Sequence, residues 1–75
     1  MTLKDMHYIS LIAEEKSITK AAARLFVAQP ALSQCVQKVE RELGIPVFIR
    51  TASGVTLTAE GQRFLEFVDR TLHEE

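Results

Sequence analysis

The segment Ser17–Gly44, SITKAAARLFVAQPALSQCVQKVERELG, leaves the chain few ways to fold. In its second half the apolar residues are Leu32, Cys35, Val36, Val39 and Leu43. Offsets of three, four, seven and eleven from Leu32 mark one face of an α-helix. The boundaries agree with that helix. Pro30 suits a first turn, where a missing N–H costs nothing. Gly44 supplies a left-handed stop, Ile45 the apolar contact beyond it, and Pro46 bars a restart. A helix is therefore predicted from about Gln29 to Leu43. The first half predicts a shorter helix, Ile18 to about Leu25, with Ser17 as its N-cap. Phe26, Val27 and Ala28 join the two. With two apolar side chains, this turn is expected to pack down on the core. Two helices on so short a connection, facing each other through Ile18, Ala21, Ala22, Leu25, Leu32 and Val36, form a helix-turn-helix.

The other face of the second helix sets the functional expectation. Gln29, Ser33 and Gln37 recur every four residues, with Pro30, Gln34, Lys38 and Arg41 beside them. Gln can bond bidentately to an adenine edge, and a short Ser allows close approach. A helix with an apolar inner stripe and an amide-rich outer one suits a DNA major groove. A net charge of −1 looks unfavourable for such a partner, but its distribution is uneven. Between Ser17 and Arg50, Lys20, Arg24, Lys38, Arg41 and Arg50 stand against Glu40 and Glu42, a local balance of five minus two, or +3. The tail after Arg50 carries −3. The carboxylates Glu14, Glu15, Glu40 and Glu42 are expected on solvated helix faces.

The rest of the chain completes a single small domain. Thr2 can cap a first helix from about Leu3 to Glu15, with Asp5 favouring its positive end. Val47 to Arg50 and Val55 to Leu57 are short β-prone runs on either side of the loop Thr51-Ala52-Ser53-Gly54, a hairpin or "wing". Thr58 caps a last helix whose apolar stripe is Phe64, Leu65, Val68 and Leu72, with Phe67 off the stripe. At 1.5 Å per residue a helix from Thr58 to Glu75 is about 27 Å long, more than a three-helix core can cover. Phe64, Phe67, Val68 and Leu72 are therefore expected at a contact between two copies, and Gly61 to allow a close backbone approach there. The fold class is mainly α: a three-helix core, a two-stranded wing and a long C-terminal helix. Residues 1–57 form the winged helix-turn-helix and 58–75 the start of a linker and dimerisation helix.

Several function classes are excluded. No apolar run approaches the roughly 18 residues of a membrane span, and the first ten residues lack the apolar core of a signal peptide. A single cysteine, Cys35, cannot form an internal disulfide, which fits a reducing cytoplasm. Beside Val36 it reads as a small, partly buried hydrophobe rather than a redox sensor. His7 and His73 have no ligand partners at metal spacing. No nucleophile–base pair and no glycine-rich phosphate loop is present. Neither an enzyme, a cofactor nor a metal is expected.

The order of motifs carries a further reading: AEEKSIT, then KAAARLFVAQPALSQ, then VERELGIPVFIR, then GVTLTAEG leading into a long helix. In this order the chain resembles, over essentially its whole length, the N-terminal DNA-binding domain of LysR-type transcriptional regulators. The resemblance implies a dimeric, bacterial-type regulator whose reading helix enters the major groove of an inverted-repeat operator. It also implies a larger C-terminal domain for a small-molecule effector, so that no effector is expected to bind this stretch. Gln29, Pro30, Ser33 and Gln34 match the positions from which that family's reading helix faces DNA, and Arg50 matches the basic residue at the start of its wing. Three positions depart from the pattern. Ala28 replaces a capping Ser or Thr, Cys35 a long polar residue, and Ser53 a wing-tip Arg. A winged helix serving only protein interaction or dimerisation is the alternative that these departures and the net acidity support.

Overall fold

A computed structural model of the chain describes residues 1–73. The elements run α1 (Leu3–Glu15), α2 (Ile18–Leu25), α3 (Gln29–Leu43), β1 (Phe48–Thr51), β2 (Gly54–Leu57) and α4 (Ala59–His73). The helix ends follow local chemistry. At α1, Thr2 Oγ1 accepts the Asp5 N–H and the Asp5 carboxylate accepts the Thr2 N–H, a reciprocal capping box. Ser17 Oγ accepts the Lys20 N–H at the start of α2. α3 starts at Ala28 with no side-chain cap and ends at Gly44 in the left-handed region (φ 72°). Thr58 Oγ1 accepts the Gly61 N–H at 2.8 Å and opens α4.

One core joins all the helices and the wing. Ile9 and Ile12 from α1, Ile18, Ala21 and Ala22 from α2, and Leu32, Val36 and Val39 from α3 are buried together with Val47, Val55, Phe64, Leu65 and Val68. Full burial of one such aliphatic or aromatic side chain contributes about 1.5–3 kcal/mol. Phe64 and Val68 correct the expectation of a subunit contact. They are 8% and 0% exposed within the single chain, because α4 crosses α1 with that stripe facing inward. Phe67, one position before Val68, keeps 46% of its surface, and Leu72 is half-buried. Leu3 lies off the buried stripe of α1 and is exposed.

The wing is shorter at its tip than the sequence predicts. β1 and β2 pair antiparallel, with Phe48 opposite Leu57 and Thr51 opposite Gly54, so only Ala52 and Ser53 form the turn. Its tip end is fixed to the rest of the domain: the Val55 N–H, one pair from the turn, donates to the Lys16 carbonyl at 3.0 Å. A Cβ on Gly54 (φ 147°) would lie 2.1 Å from that same carbonyl oxygen. Gly61 does allow a close backbone approach, but the partner is this chain's own Val47, whose carbonyl oxygen would sit 2.1 Å from an added Cβ. Glu40 is likewise not a free surface charge. Its Oε2 accepts the Val47 N–H at 2.7 Å and the Phe48 N–H at 3.1 Å, clamping the start of the wing to α3.

The turn between α2 and α3 departs most from expectation. Val27 packs against the core, but Phe26 is 95% exposed. Phe26 adopts φ 57°, and its N–H closes the end of α2 on the Ala22 and Ala23 carbonyls. The left-handed residue that ends a helix turns its side chain away from the helix it terminates. Here that position precedes Val27, which takes the inward place.

Candidate nucleic-acid interface

α3 is held from two sides. α2 packs across its inner face, and α1 reaches it through Asp5, whose carboxylate meets Lys38 Nζ at 2.8 Å. Burial alone would raise the Asp5 pKa. The Lys38 ammonium and the Thr2 N–H outweigh it and hold the carboxyl below its ordinary 3.8. The Cys35 thiol donates to the other Asp5 oxygen at 3.6 Å. Burial, and then the negative charge of Asp5, push that thiol up to about 11. It is therefore protonated near neutral pH and has little nucleophilic character.

With Leu32, Val36 and Val39 turned inward, Pro30, Gln34, Gln37 and Arg41 are the exposed face of α3. Gln29 and Ser33 sit on its flank, half-buried, toward the wing. This corrects the outer stripe. At about 100° per residue, a four-residue step advances about 40°, so the row Gln29–Ser33–Gln37 spirals from the flank into the open. Gln29 Nε2 donates to Ser33 Oγ at 2.8 Å, and Arg50 Nη2 reaches the same oxygen at 3.4 Å. Between this pair and the wing lies an open cleft of about 320 Å³, with Ser17, Thr19, Gln29, Arg50 and Ser53 on its walls. A neighbouring cleft of about 280 Å³ is bordered by Lys16, Lys20, Thr51 and Ser53.

The charges are also redistributed. Lys38 is committed to Asp5, and Arg24 to Glu14 at 3.0 Å and to Glu15. Neither belongs to the free positive charge of this face. Among the described residues Lys16, Lys20, Arg41 and Arg50 form no ion pair. The motifs singled out neither Lys16 nor Thr19 at these clefts, and Lys20 only as one of the local charges. The signal was present in the N-cap Ser17, which leaves the first-turn N–H groups of α2 beside two lysines.

A helix-turn-helix braced by a third helix, flanked by a wing and presenting a polar helix face, defines the winged helix-turn-helix class. The profile of the bacterial regulatory helix-turn-helix proteins, lysR family, matches residues 3–62. The chain belongs to the LysR family, as its helix-turn-helix DNA-binding domain. The uncharacterized regulator YkuM of Bacillus subtilis is 43% identical over all of this chain and 26% of its own length. The regulator ClcR of Pseudomonas putida is 42% identical over 97% of this chain and 25% of its own. The chain thus spans about a quarter of those relatives. Among solved structures, the BenM DNA-binding domain in complex with catB site 1 DNA superposes with a TM-score of 0.90 at 40% identity, covering 96% of this chain and 77% of that one. The CbnR DNA-binding domain–DNA complex gives 0.92 at 36% identity, covering 96% and 83%. No helix among the described residues is long and apolar enough to cross a membrane.

Proposed function

We propose that this domain reads operator DNA as a non-catalytic, cytoplasmic transcription-regulator module. The exposed face of α3 is the observation that carries this reading. Pro30, Gln34 and Gln37 project clear of the core, so amide groups can meet base edges without unpacking the helix. Gln29 and Ser33 border the same groove, and Lys16, Lys20, Arg41 and Arg50 supply phosphate contacts. Lys38 contributes to DNA binding only by bracing α3 through Asp5. Residues from 58 onward begin a linker helix, and exposed Phe67, stacked 6.3 Å from Phe64, marks a contact with a second copy. Two copies place two reading helices about 34–36 Å apart, on an inverted repeat. Effector binding belongs to regions outside this stretch.

The test is selection from a random duplex pool by the purified chain, followed by titration of the selected and a random duplex. Gln34→Ala should weaken the selected duplex by about 1–3 kcal/mol and leave the random one nearly unchanged. Equal weakening of both would remove Gln34 from base reading. Recovery of no preferred sequence would refute operator recognition by this domain.

A further inference from the structure

The Gln29–Ser33–Arg50 cluster does more than line the interface. A serine hydroxyl has two acceptor lone pairs and one proton to give. Ser33 Oγ accepts from Gln29 Nε2 at 2.8 Å and lies 3.4 Å from Arg50 Nη2. Gln29 comes from the preceding turn of the same helix, whereas Arg50 arrives from the wing, seventeen residues away. Arginine can only donate. With both lone pairs engaged, Ser33 is left with its proton alone, so it can address guanine O6 or N7, thymine O4 or adenine N7. It cannot receive the amino group of cytosine. We propose that Arg50 is a specificity-determining positioning residue: by occupying a lone pair of Ser33, it fixes that hydroxyl as a hydrogen-bond donor toward the operator and excludes cytosine from the position Ser33 reads. This rests on the DNA-reading function above. It assigns the wing a part in base discrimination, distinct from neutralising a phosphate.

Nothing in the fold depends on the pair, since Arg50 is exposed and its contact with Ser33 lies at the surface. The variants Arg50→Ala, Ser33→Ala and the double variant can therefore be compared as folded proteins, with circular dichroism as the check. The probe is the duplex selected by the unaltered chain, together with its full set of single-base substitutions and a random duplex. Ser33→Ala should erase the preference at one base position. Arg50→Ala should relax that same position, admitting cytosine within about threefold of the selected base, and the double variant should relax it no further. If Arg50→Ala instead weakens every duplex by one common factor and preserves each preference, the arginine is a phosphate contact only and the proposal falls. If Ser33→Ala and Arg50→Ala relax different positions, it falls as well. Absence of any selected sequence with the unaltered chain is a different failure, overturning the DNA-reading function itself and this inference with it.

Discussion

Replacing Gly61 by alanine sets two effects of opposite sign against each other. On helix propensity alone the change stabilises by about 1 kcal/mol. In the folded chain, however, the new Cβ would stand 2.1 Å from the Val47 carbonyl oxygen, 2.9 Å from its carbon and 3.0 Å from Thr58 Oγ1. Two of these three atoms are backbone, so no side chain can swing aside. The Val47 carbonyl also accepts the Thr58 N–H at 3.0 Å, a bond that must stretch as the segment retreats. Overpacking of this kind costs about 1–3 kcal/mol, and loss of the hydrogen bond about 0.5–1.5 kcal/mol. After the propensity gain, a net destabilisation of about 2 kcal/mol remains. For a domain of this size that corresponds to a fall of about 8–16 °C in melting temperature. Thermal unfolding followed by far-ultraviolet circular dichroism measures it. Gly44→Ala is the control: nothing lies within 4 Å of its added Cβ, so only the left-handed backbone is strained, at about 1–2 kcal/mol. A Gly61→Ala protein that melts at or above the temperature of the unaltered chain would refute the packing argument.

Three further outcomes follow from contacts already described. Ala28→Ser should restore the missing cap of α3 and stabilise the domain by about 1 kcal/mol, read from the midpoint of urea unfolding. Asp5 has a folded pKa below its ordinary value, so its contribution is fully present above that value and disappears as pH falls through the folded one. As pH falls below 3.8, the unfolding midpoint of the unaltered chain should therefore drop more steeply than that of Asp5→Asn. Cys35, with its thiol at about 11, should react with a thiol probe at pH 7 far more slowly in the folded chain than in denaturant, and equal rates would contradict its burial beside Asp5.

The helices were legible in the sequence because their signals are local. Ser17 and Gly44 act on the turn they adjoin, and the apolar offsets from Leu32 need no knowledge of the rest of the chain. The winged helix-turn-helix order was legible for the same reason. What was not legible is pairing across distance. Lys38 counts as free positive charge in the sequence, yet Asp5, thirty residues and more away, neutralises it. Glu40 reads as a surface carboxylate until the backbone of Val47 and Phe48 folds back onto it. Phe64 and Val68 were assigned to a partner because the sequence shows a long stripe and not the helix that covers it. The row Gln29–Ser33–Gln37 was read as one stripe because its drift around α3 is small at each step. Phe26 follows a different logic: apolar character predicted burial, but the backbone of the turn dictated where the side chain could point.

The bond from the Val55 N–H to the Lys16 carbonyl also bears on the order in which the molecule assembles. A hairpin with four residues per strand is at best marginal alone. Glu40 holds its root locally, but its tip end gains an anchor only when position 55 meets position 16, a separation of 55 − 16 = 39 residues. Loop-closure entropy opposes such a contact until α1, α2 and α3 have shortened the path between its ends. The wing is therefore a late arrival in folding, and interactions made late affect the unfolding rate more than the folding rate. Substitutions at Gly54 should accelerate escape from the native state while leaving the approach to it nearly unchanged. How long the domain stays folded is thus governed from the tip end of the wing, beside the Ala52-Ser53 turn, and not from its root at Phe48 and Leu57.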